Sequence, residues 1–243
     1  MTKQAESQEQ KQIKRTFKGI LLLFSETFLL FLLLLIALLA FVSVTKIVFI
    51  DNRTDLDLWF FDVIQPLVTN FNTSVLLFFT FLGNYQFLIT GNLLLIFYFL
   101  VIKKHRWFAV KVPAIAFSSL ALMVSLKSFF ARPRPLTPLL DPAVGLSFPS
   151  GHAMSSVTFY GLLIYIVYHY IESKALKISL SAGLVILILL IGFSRIYIRV
   201  HYLTDVIAGY SIGILWLVCA IKLLNLIEKR TKRWQEKRRA AVR

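Results

Sequence analysis

Six polar residues stand out in an otherwise apolar chain: Lys127, Arg134, His152, Arg195, His201 and Asp205. Lys127, Arg134 and Arg195 offer three cations, and the two guanidinium groups can bond bidentately to phosphate oxygens. His201 and Asp205 are spaced i, i+4, so one helix face can carry both. An Asp that accepts a hydrogen bond from one ring nitrogen fixes the tautomer and leaves the other nitrogen free to attack. His152 is a second imidazole, suited to general acid work near neutral pH. It closes the run Pro149-Ser150-Gly151-His152, where a loop enters a helix. Free backbone N–H groups and the helix dipole favour an anion at such a place, and Gly151 lets the backbone come close. The set is complete for phosphoryl transfer without a metal. Cations stand in for the metal ion, one His attacks, and the other protonates the leaving oxygen.

Long apolar helices must position these groups. The chain has 243 residues and is 58% hydrophobic, with a mean hydropathy of +0.74. A soluble domain of this length has too little interior for that much apolar surface. Gly19 to Thr45 carries one ionisable residue, Glu26, and Ile178 to Phe193 carries none. Runs of this kind read as membrane helices. The predicted class is all-α: a polytopic membrane bundle with about six helices, near 20–45, 84–102, 108–130, 153–171, 178–196 and 203–224. The mixed stretch 51–82 sets Asp51, Asp55, Asp57 and Asp62 among Trp59, Phe60, Phe61, Ile64 and Leu67. It reads as an amphipathic segment in the membrane interface, or as a loop with an early start to the next helix. The expected organisation is a basic tail over 1–18, one membrane-embedded domain over 19–226, and a second basic tail over 227–243.

The net charge of +15 falls largely in the tails and short turns, among them Lys103, Lys104, Arg106, Lys174 and Lys177. With six helices these lie on one side, predicted to be cytoplasmic by the positive-inside rule. Nucleic acid is therefore not an expected partner. Cys219 is the only cysteine, which rules out an internal disulfide and a Cys-rich metal site. The opposite, extracytoplasmic side receives Lys127, Arg132 and Arg134 after the third helix, and Ser150, Gly151 and His152 before the fourth. It also receives Ser194, Arg195 and Arg199 from the end of the fifth helix, and His201 and Asp205 at the start of the sixth. Ionisable groups at membrane depth are costly and point to function.

Taken singly, each has a structural explanation: snorkelling for Lys127 and Arg134, a cap for His152, a hydrogen-bonded pair for His201 and Asp205. Together they make a chemically complete site. Gly209 and Gly213 form a G-x-x-x-G that reads as close packing within the bundle rather than a dimer seam. Glu26 reads as an interhelical hydrogen-bonding residue.

Three motifs carry a resemblance. They are K-x6-R-P from Lys127 through Arg134-Pro135, P-S-G-H from Pro149 to His152, and S-R-x5-H-x3-D from Ser194-Arg195 through His201 to Asp205. With them the chain resembles the type 2 phosphatidic acid phosphatase family, within the superfamily shared with vanadium haloperoxidases and bacterial acid phosphatases. The resemblance implies a lipid phosphatase of the plasma membrane with a phosphohistidine on His201, oriented by Asp205. It implies that His152 protonates the leaving group and later activates water. Lys127, Arg134, Arg195, Ser150 and the Gly151 amide would hold the phosphate oxygens. No cofactor or metal is expected. Candidate substrates are undecaprenyl pyrophosphate, phosphatidylglycerophosphate and phosphatidate. The alternatives are a phosphotransferase that passes the group to another acceptor, and a non-catalytic binding or transport protein. Arg132 and Arg199 lie outside the signature and are expected near the substrate headgroup.

Overall fold

The computed structural model describes residues 27–140 and 144–241. Glu26 and the basic residues of the N-terminal tail lie outside the described residues. Those described form helices joined mostly by short turns, with a longer connection after residue 130 that ends at 150, and with no strand among them. Helix α1 is Thr27–Phe49. Then come α2 (Asp55–Ile64), a 3-10 turn at Gln65–Leu67, α3 (Asn70–Leu82), and α4 (Tyr85–Phe97), which ends in a π turn at Tyr98–Ile102. Next are α5 (Arg106–Phe130), α6 (Gly151–Tyr170), α7 (Lys174–Tyr197) and α8 (Leu203–Ala241).

Among the described residues, five helices are long and apolar enough to cross a membrane: α1, α4 with its π turn, α5, α7 and α8. The expected sixth, α6, is 20 residues long, about 30 Å at the usual rise. Its first half carries His152, Ser155, Ser156 and Thr158, which lowers its hydropathy. The packing explains why this is tolerated. α6 runs between α8, α7, α5 and α4, so its polar groups face protein rather than lipid. Ala153, Met154 and Ser156 are wholly buried. The G-x-x-x-G of α8 makes this close packing possible. A Cβ on Gly209 would come within 2.7 Å of the Ser150 carbonyl oxygen, and one on Gly213 within 3.0 Å of Val157 Cβ.

The stretch 51–82 is two helices rather than a loop. α2 turns Asp57, Phe61 and Ile64 inward, while Leu58, Trp59 and Val63 remain exposed. The expected basic tail after residue 226 is instead a continuation of α8 to Ala241. Its Lys, Arg, Glu, Gln and Ala residues are good helix formers, and Lys232 pairs with Glu228 at 2.6 Å one turn away.

One end of the bundle is tied by a buried cation. Lys111 of α5 donates to Asn225 Oδ1 at 2.6 Å and to Glu228 Oε2 at 2.7 Å on α8. Glu228→Gln leaves the Lys111 ammonium without its counter-charge. We expect a loss of about 2 kcal/mol, read as a lower midpoint of thermal unfolding in detergent. An unchanged midpoint would show that the pair does not hold α5 to α8.

Candidate active site

The residues singled out by the motifs meet at the other end of the bundle. α5 stops at Ala131, whose left-handed φ of 47° turns the chain back over the helix end. Lys127 stands in the last turn, and its Nζ donates to the Leu146 carbonyl at 2.6 Å. Arg134 follows the turn. Its Nε donates to Gly145 O at 3.0 Å and its Nη1 to Val200 O at 2.8 Å. The same Nη1 lies 3.3 Å from His201 Nε2. Glycine at 151 leaves room for the Met123 side chain between α5 and α6, since a Cβ there would meet Met123 Sδ at 2.8 Å.

His201 is buried in the turn between α7 and α8. A guanidinium can only donate, so the contact with Arg134 makes His201 Nε2 an acceptor and places the ring hydrogen on Nδ1. Nδ1 faces Ser147 Oγ at 3.3 Å and Asp205 Oδ2 at 3.5 Å. Ser147 also donates a short hydrogen bond to Asp205 Oδ2, so its hydroxyl bridges the pair. Burial pulls the His201 imidazole down to about 4, against the opposing effect of Asp205. The ring is therefore neutral at neutral pH, with the lone pair on Nε2 turned toward Arg134.

Asp205 is fully buried. Its Oδ2 also accepts from Tyr202 N–H at 2.9 Å, and its Oδ1 accepts from Arg132 Nη1 at 2.6 Å. His152 stands at the start of α6, with Nε2 2.9 Å from Asn84 Oδ1. Arg195, His201, Arg134 and Lys127 all lie within electrostatic reach of its ring. Arg195 is 7% exposed, yet its Nε has no hydrogen-bond partner. A buried, unpaired guanidinium N–H is costly, and an anion in the site would satisfy it.

Arg132 and Arg199, expected near the substrate headgroup, are both engaged by protein groups. Arg132 is enclosed, held by Asp57 and Asp205 at 2.7 and 2.6 Å, with its guanidinium stacked 4.1 Å above the Tyr202 ring. Arg199 donates to Gln65 Oε1 at 2.6 Å and lies over Phe61. Both cations are spent on binding α2 and its 3-10 turn to the start of α8. In addition, the Ser150 backbone N–H is not free, since it donates to Asp205 O at 2.9 Å. The Ser150 Oγ accepts from Ala153 N–H at 3.5 Å as the cap of α6.

Asp57, Asn84 and Ser147 belong to the site and were not anticipated. Asp57 and Asn84 lie outside all three motifs, more than 40 residues before Lys127, and only folding brings them in. Ser147 stands two residues before Pro149, where its nearness to the P-S-G-H run was the one available signal.

The family model described as PAP2 superfamily matches residues 108–228, which include every motif residue from Lys127 to Asp205. Phosphatidylglycerophosphatase B of Bacillus subtilis (strain 168) is 34% identical over 116 residues, 46% of this chain and 54% of that protein. Lipid phosphate phosphatase delta of Arabidopsis thaliana is 29% identical over 118 residues, 42% of this chain and 28% of that one. The chain thus spans about half the length of the first of these relatives and little more than a quarter of the second. Among solved structures, a transmembrane PAP2 type phosphatidylglycerolphosphate phosphatase from Bacillus subtilis superposes with a TM-score of 0.70 at 22% identity, over 81% of this chain and 96% of that one. Aquifex aeolicus LpxE superposes with a TM-score of 0.56 at 30% identity, over 69% and 95%. With the three motifs gathered at one end of a helical bundle of this shape, the chain belongs to the PAP2 superfamily.

Proposed function

We propose that the protein is a membrane lipid phosphatase that removes a terminal phosphate from a lipid monophosphate or pyrophosphate through a phosphohistidine on His201. The observation that carries this reading is the pairing of a buried guanidinium whose Nε lacks a partner, Arg195, with a neutral imidazole whose Nε2 lone pair lies beside a second guanidinium, Arg134. An anionic phosphoryl group would satisfy that Nε and draw Arg134 off the Nε2 lone pair. Arg195, Arg134 and Lys127 then spread the charge of the equatorial oxygens, and Nε2 attacks phosphorus in line. Ser150 and the Gly151 amide add donors at the start of α6. His152 gives its proton to the leaving oxygen, and afterwards takes one from the water that hydrolyses the phosphohistidine.

The lipid character of the substrate is supported by an apolar groove of about 280 Å³ between α4, α5 and α6. Its lining includes Leu88, Ile89, Ile115, Leu120 and Phe159. It lies on elements that also carry the site, since Tyr85 follows Asn84 and Ser155 lies one turn beyond His152. A hydrocarbon chain fits there while the phosphate sits among the cations. Six membrane spans, with α6 as the sixth, put Lys103, Arg106, Lys174 and the basic end of α8 together in the cytoplasm and the site on the outer face. The plasma membrane is the proposed location.

A release assay on the purified chain tests this reading. Phosphatidate, phosphatidylglycerophosphate and undecaprenyl pyrophosphate are offered in mixed micelles. At least one should release phosphate, with no loss of rate in EDTA and with inhibition by vanadate, which mimics pentacoordinate phosphorus. Binding of all three without release would replace the enzyme with a lipid-phosphate binder. Strong inhibition by EDTA would contradict the metal-free site.

A further inference from the structure

The catalytic Asp of the proposed mechanism is gripped from outside the matched family region. Asp57 of α2 is 1% exposed and lies well before residue 108, where the family match begins. Its Oδ1 accepts from Thr204 N–H at 3.0 Å, and its Oδ2 accepts from the Thr204 hydroxyl at 2.8 Å. Thr204 N–H is one of the unpaired donors at the start of α8, so Asp57 caps α8 from a distant helix and complements its dipole. The same Oδ2 accepts from Arg132 Nη2 at 2.7 Å, while Arg132 Nη1 serves the Thr204 hydroxyl at 2.8 Å and Asp205 Oδ1 at 2.6 Å.

This division has a consequence for the chemistry. Arginine and a carboxylate left to themselves favour two parallel hydrogen bonds. Such a fork would draw both oxygens of Asp205 toward Arg132. Asp57 occupies Nη2, so only Nη1 reaches Asp205, and only through Oδ1. Oδ2 is thereby left to Tyr202 N–H, Ser147 and His201 Nδ1. We propose that Asp57 is a positioning residue for phosphoryl transfer, holding Arg132 in a one-oxygen grip on Asp205 so that the other oxygen stays behind His201. The role rests on the hydrolase reading above.

The test uses the full chain in detergent, first as the parent and then as Asp57→Asn, Arg132→Gln and the double variant. Turnover, KM, the pH dependence of kcat/KM and thermal unfolding are measured for each. The acid limb of the profile reads His201, which faces Asp205 on α8, Lys127 and Arg134 at the end of α5, and His152 and Arg195 across the site. Asp57→Asn should lower kcat by about tenfold or more with little change in KM, since a small misplacement of a catalytic group is costly. It removes one of the two negative charges that share Arg132, so the acid limb moves to lower pH by a few tenths of a unit. Arg132→Gln also lowers kcat but moves the limb to higher pH. The double variant restores the charge balance, so the limb returns to the parental position while kcat stays low. A cap without a catalytic role predicts lower unfolding temperatures with parental kcat and pH profile, and that result overturns the proposal. So does a limb that moves the same way in both single variants. If Asp57→Asn does not fold, the double variant, which keeps the parental net charge around Asp205, decides: low kcat with a parental limb supports the role, and parental kcat overturns it. Absence of turnover in the parent overturns the hydrolase reading and this role together, whereas unchanged variants of an active parent remove only the role.

Discussion

Replacing His201 by alanine should lower turnover by at least about four orders of magnitude while the bundle stays folded. The size of the effect follows from what the residue supplies. Nε2 is the unprotonated nitrogen of a neutral ring, and its lone pair faces a guanidinium that a phosphoryl oxygen would draw away. Arg134 and Lys127 can bind a phosphoryl group but cannot form the covalent intermediate, and water attacking from bulk is a far poorer nucleophile than a positioned ring nitrogen. The side chain is small, and its contacts are to groups with other partners: Arg134 keeps Val200 O and Gly145 O, and Ser147 keeps Asp205. Lipid phosphate should therefore still bind. Single-turnover measurements on the purified variant check this; a rate within tenfold of the parent would remove His201 from the covalent step.

Asp205→Asn should cost about three to four orders of magnitude in kcat, by analogy with other His–Asp pairs in which the carboxylate fixes the tautomer. Here the reason is more specific. The carboxylate accepts from Arg132 on one oxygen and from Tyr202 N–H and Ser147 on the other. An amide has one acceptor oxygen and one NH2 group. Whichever way it is turned, the NH2 faces donors. Either Arg132 or the Tyr202–Ser147 pair loses its acceptor, and the Nδ1–H of His201 loses the negative charge behind it. Stability should also fall by about 3 kcal/mol, because Arg132 is left half-paired in the interior. Substrate affinity, set by Lys127, Arg134 and Arg195, should change much less. Equal losses in kcat and in affinity for vanadate would contradict this division of labour.

Much of the site was legible in the sequence because phosphoryl transfer demands particular residue types. The ends of alternate helices in a membrane bundle then bring them to one face. His201 and Asp205 share one turn, and Lys127, Arg134, His152 and Arg195 each stand at or beside a helix end. The supports of the site were not legible. Asp57 looked like one of several acidic residues on the polar side of an interfacial segment, yet α2 turns it inward to meet a cation 75 residues away. Asn84 meets His152 across 68 residues. No local period records such pairings. The partners of Arg132 and Arg199 were hidden for a related reason, since only the position of α2 and its 3-10 turn reveals Asp57 and Gln65 beside them. Helix α6 shows the opposite limit. Its hydropathy is modest because its polar first half packs against protein, so length and composition alone do not class it with the five apolar helices.

The covalent intermediate is the most direct test of the whole account. The purified chain is mixed with lipid phosphate carrying a labelled terminal phosphorus, quenched in alkali within the first turnover to preserve an acid-labile phosphohistidine, and digested for mass spectrometry. The account predicts one labelled peptide, with the phosphoryl group on His201 and none on His152. Turnover without any labelled peptide, or label on His152 or on a hydroxyl side chain, would contradict it.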